Sequence, residues 1–268
     1  MGASLCKSIK KHKITNKISG FDSNFDNLEY ALKNKIVDNG YKDLYKINHP
    51  DLIILCTPIS TYSSIINQIL KSINKKTTLT DIGSSKGNSH QKITKKLSKS
   101  KIDYLSSHPM VGSEKSGIKH SKSNMYENKI IFIIDKTTVK KSVYNYINSF
   151  WLSIGAETHN INKKDHDDLM AQTSHISHLM SYIFMQSLPQ SVIDNNLSLL
   201  LGGGIKEHVR LSKSNPKMWS DIFINNRRNI KKTVARIQKN ISQIKTIIDK
   251  SDEEKLKRLL EKIQSKTI

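Results

Sequence analysis

Cysteine and arginine are scarce in this chain, and long apolar runs are missing. Only two cysteines occur in 268 residues. Cys6 and Cys56 each sit in an apolar stretch and read as small buried hydrophobes in a reducing compartment, not as a disulfide framework. No run approaches the roughly 20 apolar residues that a membrane-spanning helix needs, so no membrane partner is expected. The opening Met1-Gly-Ala-Ser-Leu has no basic stretch followed by an apolar one, so no secretory signal is read. The expected setting is cytoplasmic. Acidic residues are few as well, 23 against 44 Lys and Arg, for a net charge of +21. That balance invites a nucleic-acid reading, because clustered cations release counterions from phosphates. Yet arginine stands only at positions 210, 227, 228, 236 and 258, and all other cations are lysines spread along the chain. Nucleic-acid readers favour arginine, interleaved with aromatics. Neither pattern occurs here, and no nucleic-acid partner is expected.

What is present is a change of pattern along the chain. Short apolar runs at Lys17–Phe21, Asp51–Cys56, Thr77–Ile82, Ile102–Ser106 and Lys129–Ile134 read as strands. Amphipathic segments at Leu28–Lys35, Tyr62–Ile73, Ser89–Leu97 and Val139–Leu152 read as helices between them. Unbroken runs such as Leu52-Ile-Ile-Leu-Cys predict strands covered on both faces. With the helices alternating, they predict a doubly wound parallel sheet. After about Asn162 strand-like runs vanish and helical periodicity takes over. Ile230, Val234, Ile237, Ile241, Ile244 and Ile248 make a narrow seam on one helix. It suits equally a helix packed on its own domain and one packed on a second subunit. The expectation is an α/β domain over 1–162 and an all-helical domain over 163–268.

The front end adds a cofactor signal. Gly2 opens a helical stretch, and Asp22 ends a strand-like run 20 residues later. In a dinucleotide-binding unit the third glycine of G-x-G-x-x-G opens the helix, and an acid about 20 residues on accepts from the adenine ribose. Gly2 and Asp22 fit those places. An acid there repels a 2′-phosphate, which favours NAD over NADP. The first two glycines and the strand before them are absent from the pattern. The expected sheet is therefore Rossmann-type with its first strand missing. This predicts either a start upstream of Met1 or a copy with a compromised cofactor site.

Chemistry-bearing residues gather in three segments. Thr80-Asp-Ile-Gly-Ser-Ser-Lys-Gly and Ser107-His-Pro-Met-Val-Gly-Ser-Glu-Lys-Ser-Gly each follow a predicted strand. The C-terminal edge of a parallel sheet is where such folds place ligands. Ser84 and His108, on neighbouring strand ends, are placed to share one substrate hydroxyl. Ser84 is also placed to cap the next helix. The third segment, His166-Asp-Asp-Leu-Met-Ala-Gln-Thr-Ser-His-Ile-Ser-His, is helical, with His175 and His178 one turn apart. That spacing would suit two zinc ligands, but no cysteine or carboxylate completes a set, and no metal is expected.

These segments, in this order, resemble the prephenate/arogenate dehydrogenase family. Its motifs D-x-G-S-x-K, H-P-M/I-x-G-[ST]-E-x-S-G and H-D-x(6)-S-H-x-x-H are matched in turn. A later G-G-G-…-R-…-S-[DN]-P-x-M-W-x-D-I is matched from Gly202 to Ile222. The resemblance implies NAD-dependent oxidation and decarboxylation of prephenate to 4-hydroxyphenylpyruvate, a step towards tyrosine. Arogenate or dual specificity is the alternative, and a non-catalytic copy a further one. It implies that His108 takes the ring-hydroxyl proton, that Ser84 orients that hydroxyl, and that Arg210 clamps a carboxylate with its planar fork. His178 would face the substrate side chain. His166, Glu114, Glu207 and Trp219 would form a gate around Arg210, with Ser113 and Ser174 also at the substrate. Thr57 and Pro58 would join Gly2, Asp22 and Ser84 at the cofactor, and a homodimer would form through the helical domain. The sequence departs from the family at Ser177, where proline is usual, at Glu207, where aspartate is, and at Ser113, where threonine or alanine is common. These changes touch gate geometry and side-chain selectivity, not the reacting groups.

Overall fold

Alternate residues of β3 (Leu52–Leu55) serve two different layers, as the two-residue period of a strand requires. Ile53 and Leu55 pack with α3 (Tyr62–Ser72) and α4 (Gly87–Leu97), where Ile65, Ile66, Ile69, Ile93 and Leu97 are buried. Leu52, Ile54 and Cys56 pack with α1 (Gly2–Lys11) and α5 (Lys141–Ser153), through Leu5, Ile9, Ile147 and Trp151. This computed structural model describes residues 1–47, 49–112, 117–191 and 203–266. β3, β4 (Thr77–Asp81) and β5 (Ile102–Tyr104) form one parallel sheet in that order. The chain then steps through Leu105 and Ser106 into a second sheet of β6 (Ser107–Pro109), β7 (Ile130–Ile134) and β8 (Glu157–Ile161). β6 runs antiparallel to β7, and β7 parallel to β8. The two sheets are stitched by Leu105 N–H to the Leu79 carbonyl and by Ile134 N–H to the Ser106 carbonyl. The Ser107 hydroxyl adds to the seam, 2.9 Å from the Thr80 hydroxyl and accepting from the Trp151 indole at 3.0 Å.

β1 (Ser19–Phe21) and β2 (Asn39–Tyr41) form a separate parallel pair beside α2 (Phe25–Lys33). Among the described residues no ladder joins β1 to β3. β3 is therefore an edge strand, and Leu52, Ile53 and Ile54 are half-buried, where the apolar run predicts full cover. The expected strand over Ile102–Ser106 divides between β5 and the link to β6. β2 (Asn-Gly-Tyr) and β6 (Ser-His-Pro) go unread because neither contains an apolar run, and β8 because Glu-Thr-His-Asn-Ile has one apolar residue.

From Lys163 every described element is helical. α6 (Lys163–Met170) passes through a π-helical turn (Ala171–His175) into α7 (Ile176–Ser187). α8 (Gly203–Ser212) packs along α7. α9 (Pro216–Asn225), α10 (Arg227–Asp249) and α11 (Glu253–Gln264) follow. The Asn162 side chain caps α6 by accepting from Asp165 N–H, and Asn215 caps α9 from Met218 N–H with Pro216 in the first turn. The isoleucine seam of α10 is divided. Ile230 is buried, whereas Ile241 and Ile248 are 54% and 57% exposed.

The two halves meet at the start of α4. Gly87 has φ +22°, and a Cβ there would run into the Asn225 carbonyl oxygen at the end of α9. Backbone meets backbone, so neither side yields cheaply. Gly87→Ala is expected to destabilise the protein by about 2 kcal/mol or more, read as a lower urea midpoint with an unchanged slope.

Candidate active site

The carboxylate of Asp167, on α6, reaches the first turn of α4. Its Oδ1 accepts from Lys86 N–H at 2.8 Å and its Oδ2 from Gly87 N–H at 2.7 Å. A carboxylate is the natural ligand of a helix N-terminus, with free amides and a positive dipole end. Asp167 Oδ1 is also 3.0 Å from His166 Nδ1, and His166 Nε2 is 2.8 Å from His108 Nδ1. The protons along this row follow from its end. A carboxylate only accepts, so His166 Nδ1 carries hydrogen. Burial lowers the His166 pKa against the raising effect of Asp167, so the ring is neutral and its Nε2 is a lone pair. His108 Nδ1 must then donate, which leaves His108 Nε2 as the accepting nitrogen. Burial, then His166, Lys86 and His175, hold the His108 pKa well below its ordinary value. The row therefore ends in a base ready to receive a proton.

A second buried cluster supports the same strand end. Asp81, closing β4, accepts from Lys86 Nζ at 2.7 Å, Gly83 N–H at 2.8 Å, Tyr104 OH at 2.7 Å and Ser106 Oγ at 2.6 Å. Burial alone would raise its pKa, but Lys86 and the other donors hold it below the usual carboxylate range. Lys86 Nζ also donates to the Ser107 carbonyl at 2.8 Å, one residue before His108.

Contacts run on from Asp167 into the helical half. The Asn226 amide donates to the Asp167 carbonyl at 2.7 Å and lies 3.2 Å from His175 Nδ1. Burial lowers the His175 pKa to about 4, so that ring is neutral with its hydrogen on Nε2. The Ser84 carbonyl faces it without a well-formed hydrogen bond. The His175 ring meets the Trp219 ring edge-on, with centroids 6.1 Å apart, and Trp219 stacks on His178 at 3.6 Å. His178 Nδ1 donates to the Ser174 carbonyl at 3.2 Å. Burial lowers the His178 pKa, Arg210 lowers it further, and Ser174 and Glu207 oppose them. A connected set of polar and aromatic groups thus runs from His108 to His178, and the Arg210–Glu207 pair lies near enough to influence the charge of His178.

The expected residues fall into place unevenly. Ser84 is half-buried between β4 and α4, beside His175. His166, expected at the gate around Arg210, is instead fully buried behind His108, with both ring nitrogens engaged. Arg210, expected to hold a substrate carboxylate, is paired with Glu207, Nε to Oε2 at 2.8 Å and Nη2 to Oε1 at 2.5 Å. Trp219, expected at the gate, is only 6% exposed and stacks on His178. Ser113 and Glu114 lie outside the described residues. At the cofactor end, the first turn of α1 presses on β3, where a Cβ on Gly2 would be 3.1 Å from Cys56 Cβ. Thr57 and Pro58 follow at once. Asp22 is half-buried at the end of β1, its Oδ1 accepting from Asn24 N–H at 2.8 Å. Asp81, Lys86, Asp167, Asn225 and Asn226 were not singled out from sequence. The first three stand within the matched motifs, and the asparagines carry no sequence signal.

A parallel sheet with an acid and a helix start at its strand ends, next to a neutral histidine base and a helical half with an arginine, defines a dinucleotide-dependent dehydrogenase acting on a small anion. The comparisons make this specific. The family model described as the nucleotide-binding domain of prephenate dehydrogenase matches residues 5–160, and that of the dimerization domain matches residues 162–262. The chain belongs to the prephenate dehydrogenase family, a family of NAD-dependent oxidoreductases. A prephenate dehydrogenase of Lactococcus lactis subsp. cremoris is 24% identical over 264 residues, covering 97% of this chain and 72% of the relative. A cyclohexadienyl dehydrogenase of Zymomonas mobilis is 21% identical over 255 residues, covering 94% and 86%. The crystal structure of Aquifex aeolicus prephenate dehydrogenase with hydroxyphenyl propionate and NAD+ superimposes with a TM-score of 0.89. It is 28% identical and covers 99% of this chain and 93% of that one.

The three histidines nearest the reacting edge, His108, His166 and His175, are all held neutral below their ordinary range. The unfolded chain therefore takes up protons first as the pH falls below about 6.5. Folding free energy is expected to be flat above that point. It should decline towards pH 4, the value His175 reaches. The slope is about 1.4 kcal/mol per pH unit for each histidine that stays neutral. Urea unfolding at about pH 7 and pH 5 checks this; equal free energies at both would contradict it.

Proposed function

We propose that this chain binds NAD and converts prephenate to 4-hydroxyphenylpyruvate, with residues 1–162 holding the cofactor and 163–268 supplying substrate contacts and the dimer interface. The observation that carries the reading is the buried His108, its accepting nitrogen set by the row of hydrogen bonds back to Asp167. Gly2, Asp22, Thr57, Pro58 and Ser84 fit NAD. The first turn of α1 offers free amides to a pyrophosphate, and the carboxylate of Asp22 suits a ribose diol. Bound there, NAD would supply the acceptor for the hydride of the hydroxyl-bearing ring carbon. His108 Nε2 takes the hydroxyl proton in the same step, and Ser84 orients the hydroxyl. The ring carboxylate then leaves as CO2, its bonding electrons make the ring aromatic, and the phenol oxygen takes back one proton. Arg210 exchanges its surface pairing with Glu207 for a substrate carboxylate. An exposed pair costs little to exchange. His178, Ser174, Trp219 and Glu207 are assigned to the substrate approach; the substrate roles of Ser113 and Glu114 rest on the family motif alone. His166 is assigned to orienting His108.

A dual specificity for arogenate has its own support. The Zymomonas relative is a cyclohexadienyl dehydrogenase, and a carboxylate clamp serves both acids. A cytoplasmic setting agrees with two free, buried-type thiols. The test is NAD reduction with each acid in turn; no reduction with either would leave the non-catalytic copy. His108→Asn is expected to lower kcat by about 10²–10⁴-fold, and Arg210→Lys to raise KM with a smaller change in kcat. A His108→Asn enzyme of normal rate would remove His108 from the role.

The homodimer rests on the dimerization-domain match and on the uncovered seam. Ile241 and Ile248 on α10, with Leu260 and Ile263 on α11, are large apolar side chains about half exposed. A second copy covers them. Ile241→Glu combined with Ile248→Glu is expected to convert the dimer to a monomer in light scattering, and an undisturbed dimer would place the interface elsewhere.

A further inference from the structure

Lys86 is a buried ionisable group that the reaction above leaves without a task. Its side chain is 2% exposed, and so is that of Asp81, its partner at 2.7 Å. A pair this deep contributes little net stability, because desolvating two ions offsets their attraction. What it adds is direction. Lys86 Nζ donates at once to Asp81 on β4 and to the carbonyl of Ser107 on β6, which precedes His108. The main-chain N–H of the same residue donates to Asp167 Oδ1, the oxygen that also orients His166. Both supports of the proton acceptor, the strand under His108 and the carboxylate behind His166, thus converge on one residue.

We infer that Lys86 is a positioning residue for the proton acceptor, setting the place of His108 through the Ser107 carbonyl and holding an ammonium group, paired with Asp81, beside the His108–His166 pair. This rests on the functional reading above and deepens it. The charged and titratable groups facing the pair are Lys86 from the turn before α4, Asp81 from β4, Asp167 from α6 and His175 from the π turn. Lys86 is the cation among them, and its charge opposes protonation of both rings.

The test compares Lys86→Met with Lys86→Met/Asp81→Asn in the full chain. The single variant leaves Asp81 unpaired and is expected to lose thermal stability; the double variant is expected to recover it. Recovery should not extend to the chemistry. In both variants kcat is expected to fall about 10²-fold, the cost of a base displaced by about 1 Å. KM for NAD and for the acid should stay within about threefold, since neither binding set is touched. The acid limb of kcat/KM should move to higher pH, because a cation beside the base is gone. Nitrogen NMR of the histidine rings reads the same change without substrate, as a His108 titration displaced upward. A double variant with parental kcat and parental His108 titration would overturn the proposal and leave Lys86 as a neutraliser of Asp81. Should Lys86→Met fail to fold, the double variant decides. If the parent turns over neither acid, the functional reading falls, while an unmoved His108 titration in the double variant overturns the role of Lys86 by itself.

Discussion

The carboxylate of Asp167 is the constraint on which the arrangement depends. One side chain from the helical half accepts from two amides at the start of α4 and from the ring of His166. The first contact docks the helical half onto the sheet edge, with the charge placed where a helix dipole favours it. The second decides which nitrogen of His166, and hence of His108, bears hydrogen. Domain packing and proton chemistry are thereby one geometric problem. The crowding at Gly87, where the Asn225 carbonyl leaves no room for a Cβ, follows from how closely that carboxylate draws the two halves together.

Charge is handled in opposite ways at the surface and at the centre. The lysines that give the chain its +21 are mostly exposed, and their fields are screened within about 8 Å at physiological ionic strength. Among the described residues Lys86 is the exception, buried at the strand edge with its ammonium donating to Asp81 and to the Ser107 carbonyl. Arg210 sits between these cases, exposed but in a two-point pairing that only a guanidinium makes. The helical half likewise divides its apolar surface. Ile230 and Ile247 are buried within the chain, while Ile241 and Ile248 stay more than half exposed.

The fold was legible where chemistry repeats along the chain. Apolar runs alternating with amphipathic helices identified β1, β3, β4, β5 and β7, because burial on both sides of a strand forces such runs. β2, β6 and the polar β8 left no trace, since none carries an apolar run and their pairing depends on neighbours distant in sequence. Ser84 and His108 could be read because each lies in a motif just after a strand. His166 was read as part of the gate, because its motif shows an imidazole near a substrate but not which way it points.

The sequence by itself determined the family, the α/β-then-helical order and the candidate base, because motif spacing, periodicity and residue chemistry are local properties. Only the tertiary structure decided that His166 backs His108, that Arg210 pairs with Glu207, and that Asp81, Lys86 and Asp167 form the frame around the base. Those roles arise from contacts between residues up to 81 positions apart. Burial there fixes protonation and direction, neither of which any single stretch of sequence contains.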